Sequence, residues 1–423
     1  MGVGGWGLGV GGWLRRDKQS ITGRIAKGQK PNPQPLSPIP YVLFALAGLW
    51  GFLIAGERGP ALRELRWLIV EPLVFCGLLL YYARRRGPGY WRLIVGFWLA
   101  GGALGGLVGV LQLLGLNMAP LIGIKVGFSE DVIGVEGVRR ATGLYGHPNN
   151  LGLAMGRAWP VAAAMAHVAF WQGPGGAARL RRSWPTLLVT LLCLGGLLVS
   201  FSRGAYLGAA AAGVVLMLGV GSRESGVRSR ESGVRSRESG VGSRESGVGR
   251  RIRGGRLALL IIAGVVILGG MAMLAMNVER FNLLGASSGI RVQTWASALA
   301  MLRDHPLGVG LDQFGRLYPQ YIDPALAGTN EINTAHPHNL LLDIALRMGP
   351  LGLIAFGWLL VIFYRRMIAR AGQPSPMRAV YVGALAAMTG ALVHGLVDSF
   401  YFWPDLAFAF WLFLGLALWR VAE

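Results

Sequence analysis

Two stretches of this chain, Tyr90–Leu116 and Leu257–Met276, have the length and apolarity to cross a hydrocarbon layer of roughly 30 Å. No other feature restricts the fold as much. Of the 423 residues, 53% are hydrophobic and only 14% charged, too little charge for the surface of a soluble protein of this length. The expected fold class is therefore an all-α polytopic integral membrane protein. Ten spans are read: 41–56, 65–83, 90–116, 151–171, 185–201, 204–220, 257–276, 339–364, 378–397 and 405–419. Cys76 and Cys193 both lie inside apolar runs, which offers neither a disulfide framework nor a zinc site. Met1–Leu14 is apolar, but its positive charges (Arg15, Arg16, Lys18) follow the apolar part, the reverse of a signal peptide.

Charge gives the spans a direction. With alternate connections on opposite sides, 28 of the 41 Lys and Arg residues fall on one side, and 14 of the 20 acids on the other. The net charge of +21 thus comes from one side, which the positive-inside rule makes cytoplasmic, with both termini there. Basic connections scattered between spans argue against nucleic-acid binding. Four predicted segments follow: a cytoplasmic segment 1–40, spans one to six in 41–220, a cytoplasmic linker 221–256, and a half 257–423 with an outer loop 277–338. Within the linker, Ser222–Val248 holds four copies of a seven-residue unit, Ser-Arg-Glu-Ser-Gly-Val followed by Arg or Gly. Each unit has one apolar residue and a glycine, so it cannot make a coiled-coil seam and is expected to be a mobile linker.

The ionisable residues that could do chemistry gather in the outer connections. Arg139-Arg140 leads into His147-Pro148-Asn149-Asn150, and Ser202-Arg203-Gly204 forms the turn between spans five and six. The long loop carries Arg291, Trp295 and His305–Phe314, and it ends in His336-Pro337-His338-Asn339. A structureless connection of that length would be unusual, so short helices are expected in it. Arg203 and Arg291 taken singly read as interfacial or surface arginines; two guanidinium groups beside membrane helices suit a diphosphate, which they can grip bidentately. Pro337 fits the first position of a helix, which puts His338 in its first turn, where the helix dipole disfavours imidazolium. A neutral imidazole there is ready to accept a proton from a hydroxyl. His336 could be the capping partner, or the two roles could be reversed.

Asp343 and Arg347 have the spacing of an intrahelical ion pair and read as support. His394 and Asp398, with His147 and His305, could suggest a metal site, but no zinc-type motif or clustered carboxylate pattern appears, and none is expected. Gly308 and Gly310 lack the Lys-Ser/Thr of a phosphate loop, so energy must arrive with an activated substrate or a gradient.

The ordered set Ser202-Arg203-Gly204-Ala205, Arg291 with Trp295, His305–Phe314 and His338-Asn339 followed by Gly349 and Gly352 resembles the O-antigen ligase and polymerase superfamily. The likeness runs from about Arg139 to the C-terminus and includes His394 to Asp398. It implies a metal-independent, GT-C-like glycosyltransferase without cofactors, which takes glycan from an undecaprenyl-diphosphate donor on the outer face of the bacterial cytoplasmic membrane. By the same resemblance, Arg203 and Arg291 would bind the donor diphosphate, and His338 would be the base or orienter for the acceptor hydroxyl. Arg140, Asn339, His336, Asp312, His394 and Asp398 are candidate supports. Its partners would be a lipid-linked oligosaccharide, a glycan or lipid acceptor, and membrane lipid, with no nucleic acid. The chain departs from the family in having about ten spans rather than twelve or so, and in carrying the repeat. The shared motifs do not choose between ligase, polymerase and protein-glycosylating members. A transporter of a small solute or a lipid-linked sugar, of the bicarbonate-uptake type, is the alternative; charges clustered at one face rather than at midplane favour surface chemistry.

Overall fold

A computed structural model describes residues 38–116, 140–172, 177–235 and 286–419. Span seven, the second half of the repeat, the first part of the long loop and nearly all of segment 1–40 lie outside them. Among the described residues the chain is all helix, turn and loop. The main helices are α1 (Ile39–Ile54), α2 (Arg58–Arg86), α3 (Pro88–Leu113), α4 (Pro148–Gln172) and α5 (Ala177–Val199). They continue as α6 (Arg203–Arg235), α7 (Ala286–Asp304), α8 (Leu340–Ala371), α9 (Arg378–Gly395) and α10 (Pro404–Leu418).

Four of these, α2, α3, α5 and α8, are long and apolar enough to cross a membrane, and α1, the Arg203–Gly219 part of α6 and α10 are shorter apolar helices. Outward-facing Leu93, Phe97 and Leu104 on α3 are exposed apolar side chains of the kind lipid covers. By contrast α9 is buried along nearly its whole length, between α4, α6 and α8. Small residues allow that close packing. At the α6–α9 crossing a methyl group on Gly208 would stand 2.5 Å from the Gly390 carbonyl oxygen. Because α9 is central, whatever follows its C-terminus emerges in the middle of one end of the bundle.

Several limits differ from the sequence reading. Helix α5 begins at Ala177, well before Pro185, and so includes Arg179, Arg181 and Arg182. Helix α6 does not stop at Val220 but runs on through two copies of the repeat to Arg235, so that part of the expected linker is helical.

Prolines explain the breaks in the long helices. In α2 a π-helical stretch, Leu65–Val70, precedes Pro72, whose missing N–H would leave the Leu68 carbonyl without its helical partner. The Tyr401 hydroxyl donates to that carbonyl at 2.6 Å. In α8 the backbone turns at Gly349 (φ 66°), and Pro350 frees the carbonyl of Leu346. That oxygen accepts from the N–H groups of Val309 (2.6 Å) and Gly310 (3.2 Å). Gly308 (φ 92°) and Gly310 (φ 105°) give the passing loop the left-handed backbone it needs. The Gly349 spacing that marks the motif is therefore the docking point of the His305–Phe314 loop.

Candidate active site

The ends of α5, α6, α8 and α9 meet the loop before α4. Ala141 N–H donates to the Val199 carbonyl at 3.0 Å, and Arg140 Nε to the Ser200 carbonyl at 2.9 Å. Buried Arg157 on α4 donates to the carbonyls of Phe400 (2.5 Å) and Leu406 (3.2 Å), which fixes the turn after α9.

His338 stands at the centre of this end. Helix α8 begins at Leu340 with Asn339 as its N-cap, whose side chain accepts from the N–H of Leu341 (3.0 Å) and Leu342 (3.1 Å). The expectation that His338 lies in the first turn is therefore corrected. Asparagine caps well, Pro337 stays outside the helix, and His338 falls before the cap with a left-handed backbone, φ 50°. Strained backbone at a non-glycine residue is a mark of functional sites. Trp295 Nε1 on α7 holds the His338 carbonyl at 3.3 Å, and Asn339 Nδ2 ties the segment to the Leu396 carbonyl at 3.0 Å.

The His338 ring faces Asp398, with Nδ1 3.2 Å from Oδ1. The same oxygen accepts from the Ser399 N–H at 2.8 Å, while Oδ2 accepts from Asn149 Nδ2 at 2.6 Å. Asn149 Oδ1 in turn accepts from Arg140 at 2.6 Å. A carboxylate held on both oxygens orients the imidazole and fixes its proton on Nδ1. Burial works to raise the Asp398 carboxyl; the His338 hydrogen bond and the charges of the surrounding histidines override it and hold it well below the usual carboxylate range. His338 Nε2 makes no hydrogen bond among the described residues, and the side chain is 28% exposed.

The other candidates divide clearly. His336 packs beside His338, ring centroids 4.2 Å apart, and its Nδ1 accepts from the His338 N–H at 3.4 Å. Burial and the neighbouring His338 push His336 down to about 4. His394 is buried with Nε2 3.3 Å from the Ser202 hydroxyl. Its ring lies on Gly204, where a methyl group would come within 2.3 Å, so that glycine makes room for histidine. Arg203 opens α6 beside these two, and Arg291 on α7 lies within electrostatic reach of His147 and His394. Asp312 is not brought to this site; it faces Arg63 at 3.7 Å, near α2. His305 is exposed at the end of α7.

Asp343 and Arg347 form the expected ion pair (2.7 Å), extended by Glu64 of α2 on Arg347 and by the Ser399 hydroxyl, 2.6 Å from Asp343 Oδ2. Sequence reasoning missed Asn149, Ser399 and Glu64 as partners. The Pro-Asn-Asn run after His147 was a usable signal for the first.

One oxygen or nitrogen atom from each of His336, His338 and Asp398 lies within 4.8 Å of the other two, a grouping that offers metal-ligating atoms.

No curated protein matches this chain. The O-antigen ligase family model matches residues 188–357, a stretch that holds Ser202-Arg203-Gly204, Arg291, the His305–Phe314 loop and His338. Arg140, Asn149, His394 and Asp398 lie outside it, so the site closes with residues beyond the matched stretch. That match, over two fifths of this helical membrane protein, supports a likeness to the O-antigen ligase and polymerase superfamily and suggests a glycan-transferring enzyme of the envelope.

Proposed function

We propose that the protein is a metal-independent glycosyltransferase that moves a glycan from an undecaprenyl-diphosphate donor to an acceptor hydroxyl at the outer face of the cytoplasmic membrane. Its ten spans leave both termini in the cytoplasm, and its fold is of the GT-C kind. The observation that carries the reading is the His338–Asp398 pair, at 3.2 Å, with the His338 side chain part exposed and its Nε2 in no hydrogen bond among the described residues.

In this reading the acceptor oxygen attacks the anomeric carbon, and the bond from that carbon to the donor phosphate breaks. Lipid diphosphate leaves with the electron pair, and His338 Nε2 takes the hydroxyl proton. Asp398 keeps Nδ1 protonated and stabilises the imidazolium that forms. Arg203 and Arg291 grip the diphosphate and offset its charge as it departs.

The test is transfer by purified protein given undecaprenyl-diphosphate glycan and candidate acceptors, with product followed by mass spectrometry. Arg291→Ala should weaken donor binding, and Arg291→Lys should rescue it poorly, because a point charge loses the two-pronged grip. Undiminished donor binding by Arg291→Ala would remove the clamp role. Loss of parental activity on chelation would sink the metal-free mechanism.

A further inference from the structure

We propose that His336, His338 and Asp398 bind a single transition-metal cation of the zinc type, and that its binding switches glycan transfer off. The three residues offer ligand atoms within 4.8 Å of one another. Two imidazoles with one carboxylate suit zinc, whereas magnesium and calcium prefer all-oxygen sets. The ligands come from two segments already pinned together. His336 and His338 precede the α8 cap, Asp398 follows α9, and Asn339 Nδ2 bonds the Leu396 carbonyl between them at 3.0 Å.

Asp398 also has the outer support that metal-ligating carboxylates usually have, since Asn149 holds its second oxygen at 2.6 Å. Three protein ligands leave a fourth position for water. One of the three ligand side chains, that of His338, is 28% exposed. The site also gives a task to His336, which the transfer mechanism leaves without one.

Binding removes the base through either ring nitrogen of His338. On Nε2 the metal takes the lone pair that would accept the proton. On Nδ1 it displaces the hydrogen bond to Asp398, and the remaining ring proton moves to Nε2. The binding site stands on the geometry alone, while the switch rests on the reading of His338 as the base.

The experiment uses full-length protein, freed of metal by chelation and kept without donor, because diphosphates bind divalent cations themselves. Titration with cobalt(II), read by its visible absorption, should show one saturable site from which zinc displaces cobalt. His336→Ala should weaken that site by more than the roughly 100-fold that loss of an outer partner alone can cost, and Asn149→Ala by roughly 10–100-fold. Zinc should inhibit transfer over the range in which it displaces cobalt, and chelator should restore the rate. Each variant is compared with its own zinc-free rate, and His305→Ala should leave the inhibition constant unchanged.

Absence of the cobalt band, or a band unaffected by His336→Ala, would overturn the site. Saturation with zinc at an undiminished rate would overturn the switch. Full transfer by His338→Ala with loss of its cobalt band would remove the mechanism while leaving the site.

Discussion

Two clusters of ionisable side chains meet at the turn after α9, and they are opposites. In one, Asp343 and Arg347 are buried, and their bonds are filled by each other, by Glu64 and by the Ser399 hydroxyl. Arg347 also lies over the Phe402 ring at 4.6 Å. In the other, His338 is part exposed, has a left-handed backbone, and keeps one ring nitrogen without a partner among the described residues. Adjacent residues, Asp398 and Ser399, serve the two clusters. Complete pairing in the interior ties α2, α8 and the 398–403 turn together. An unfilled valence at the rim leaves something to react.

Substitution should separate them sharply. His338→Asn is the cleaner probe of the open cluster, because asparagine tolerates φ 50° better than alanine and cannot act as the base. Transfer should fall by roughly 10²–10⁴-fold, with donor binding and thermal stability close to parental. Parental transfer would mean that the wrong histidine has been chosen.

Arg347→Ala should do the reverse, leaving the carboxyl groups of buried Asp343 and part-buried Glu64 without their cation. Loss of one partner from such a pair costs about 3–5 kcal/mol. The yield of monodisperse protein and its melting temperature should drop together. A stable Arg347→Ala protein that fails only in transfer would place that cluster in the chemistry and dissolve the contrast.

The two clusters were not equally legible in the sequence. The Asp343–Arg347 pair was read from its spacing, since a helix brings such residues to one face. Glu64 was not, because its partner is 283 residues away. His338 and Asp398 were both candidates, yet nothing in a linear spacing joins residues 60 apart, and the packing of α8 against α9 makes that contact. Asn149 stood in the His147–Asn150 run with no role assigned to it; its bond to Asp398 spans 249 residues. The entry to α8 was misplaced because proline at a first helical position and asparagine at a cap compete over two residues, and the cap won with two backbone hydrogen bonds. The helical class followed from apolar runs, whereas exact limits depended on what each end meets.

Asn149→Ala tests how far the open cluster depends on its outer support. Removal of a hydrogen bond to a charged carboxylate costs about 1.5–3 kcal/mol, and Asp398 would then be free to turn away from His338. Transfer should fall by roughly 10–100-fold, less than for His338→Asn, with the apparent affinity for donor unchanged. A loss of donor affinity alone would assign Asn149 to the substrate rather than to Asp398.

Ser399→Ala probes the join itself and should have the smallest effect. It removes the 2.6 Å bond from the hydroxyl to Asp343 but keeps the N–H that Asp398 Oδ1 accepts at 2.8 Å. The closed cluster loses one of its bonds, while Arg347 still compensates Asp343, so stability should fall by about 1–3 kcal/mol, the cost of one unsatisfied buried group. Asp398 keeps its contacts with His338, Asn149 and its own turn, so transfer measured well below the melting point should remain within about threefold, less than 1 kcal/mol on the barrier. Side-by-side melting curves and initial rates settle the matter. A large fall in rate at unchanged stability would mean that Asp343 acts on His338 through Ser399, and that the clusters work as one.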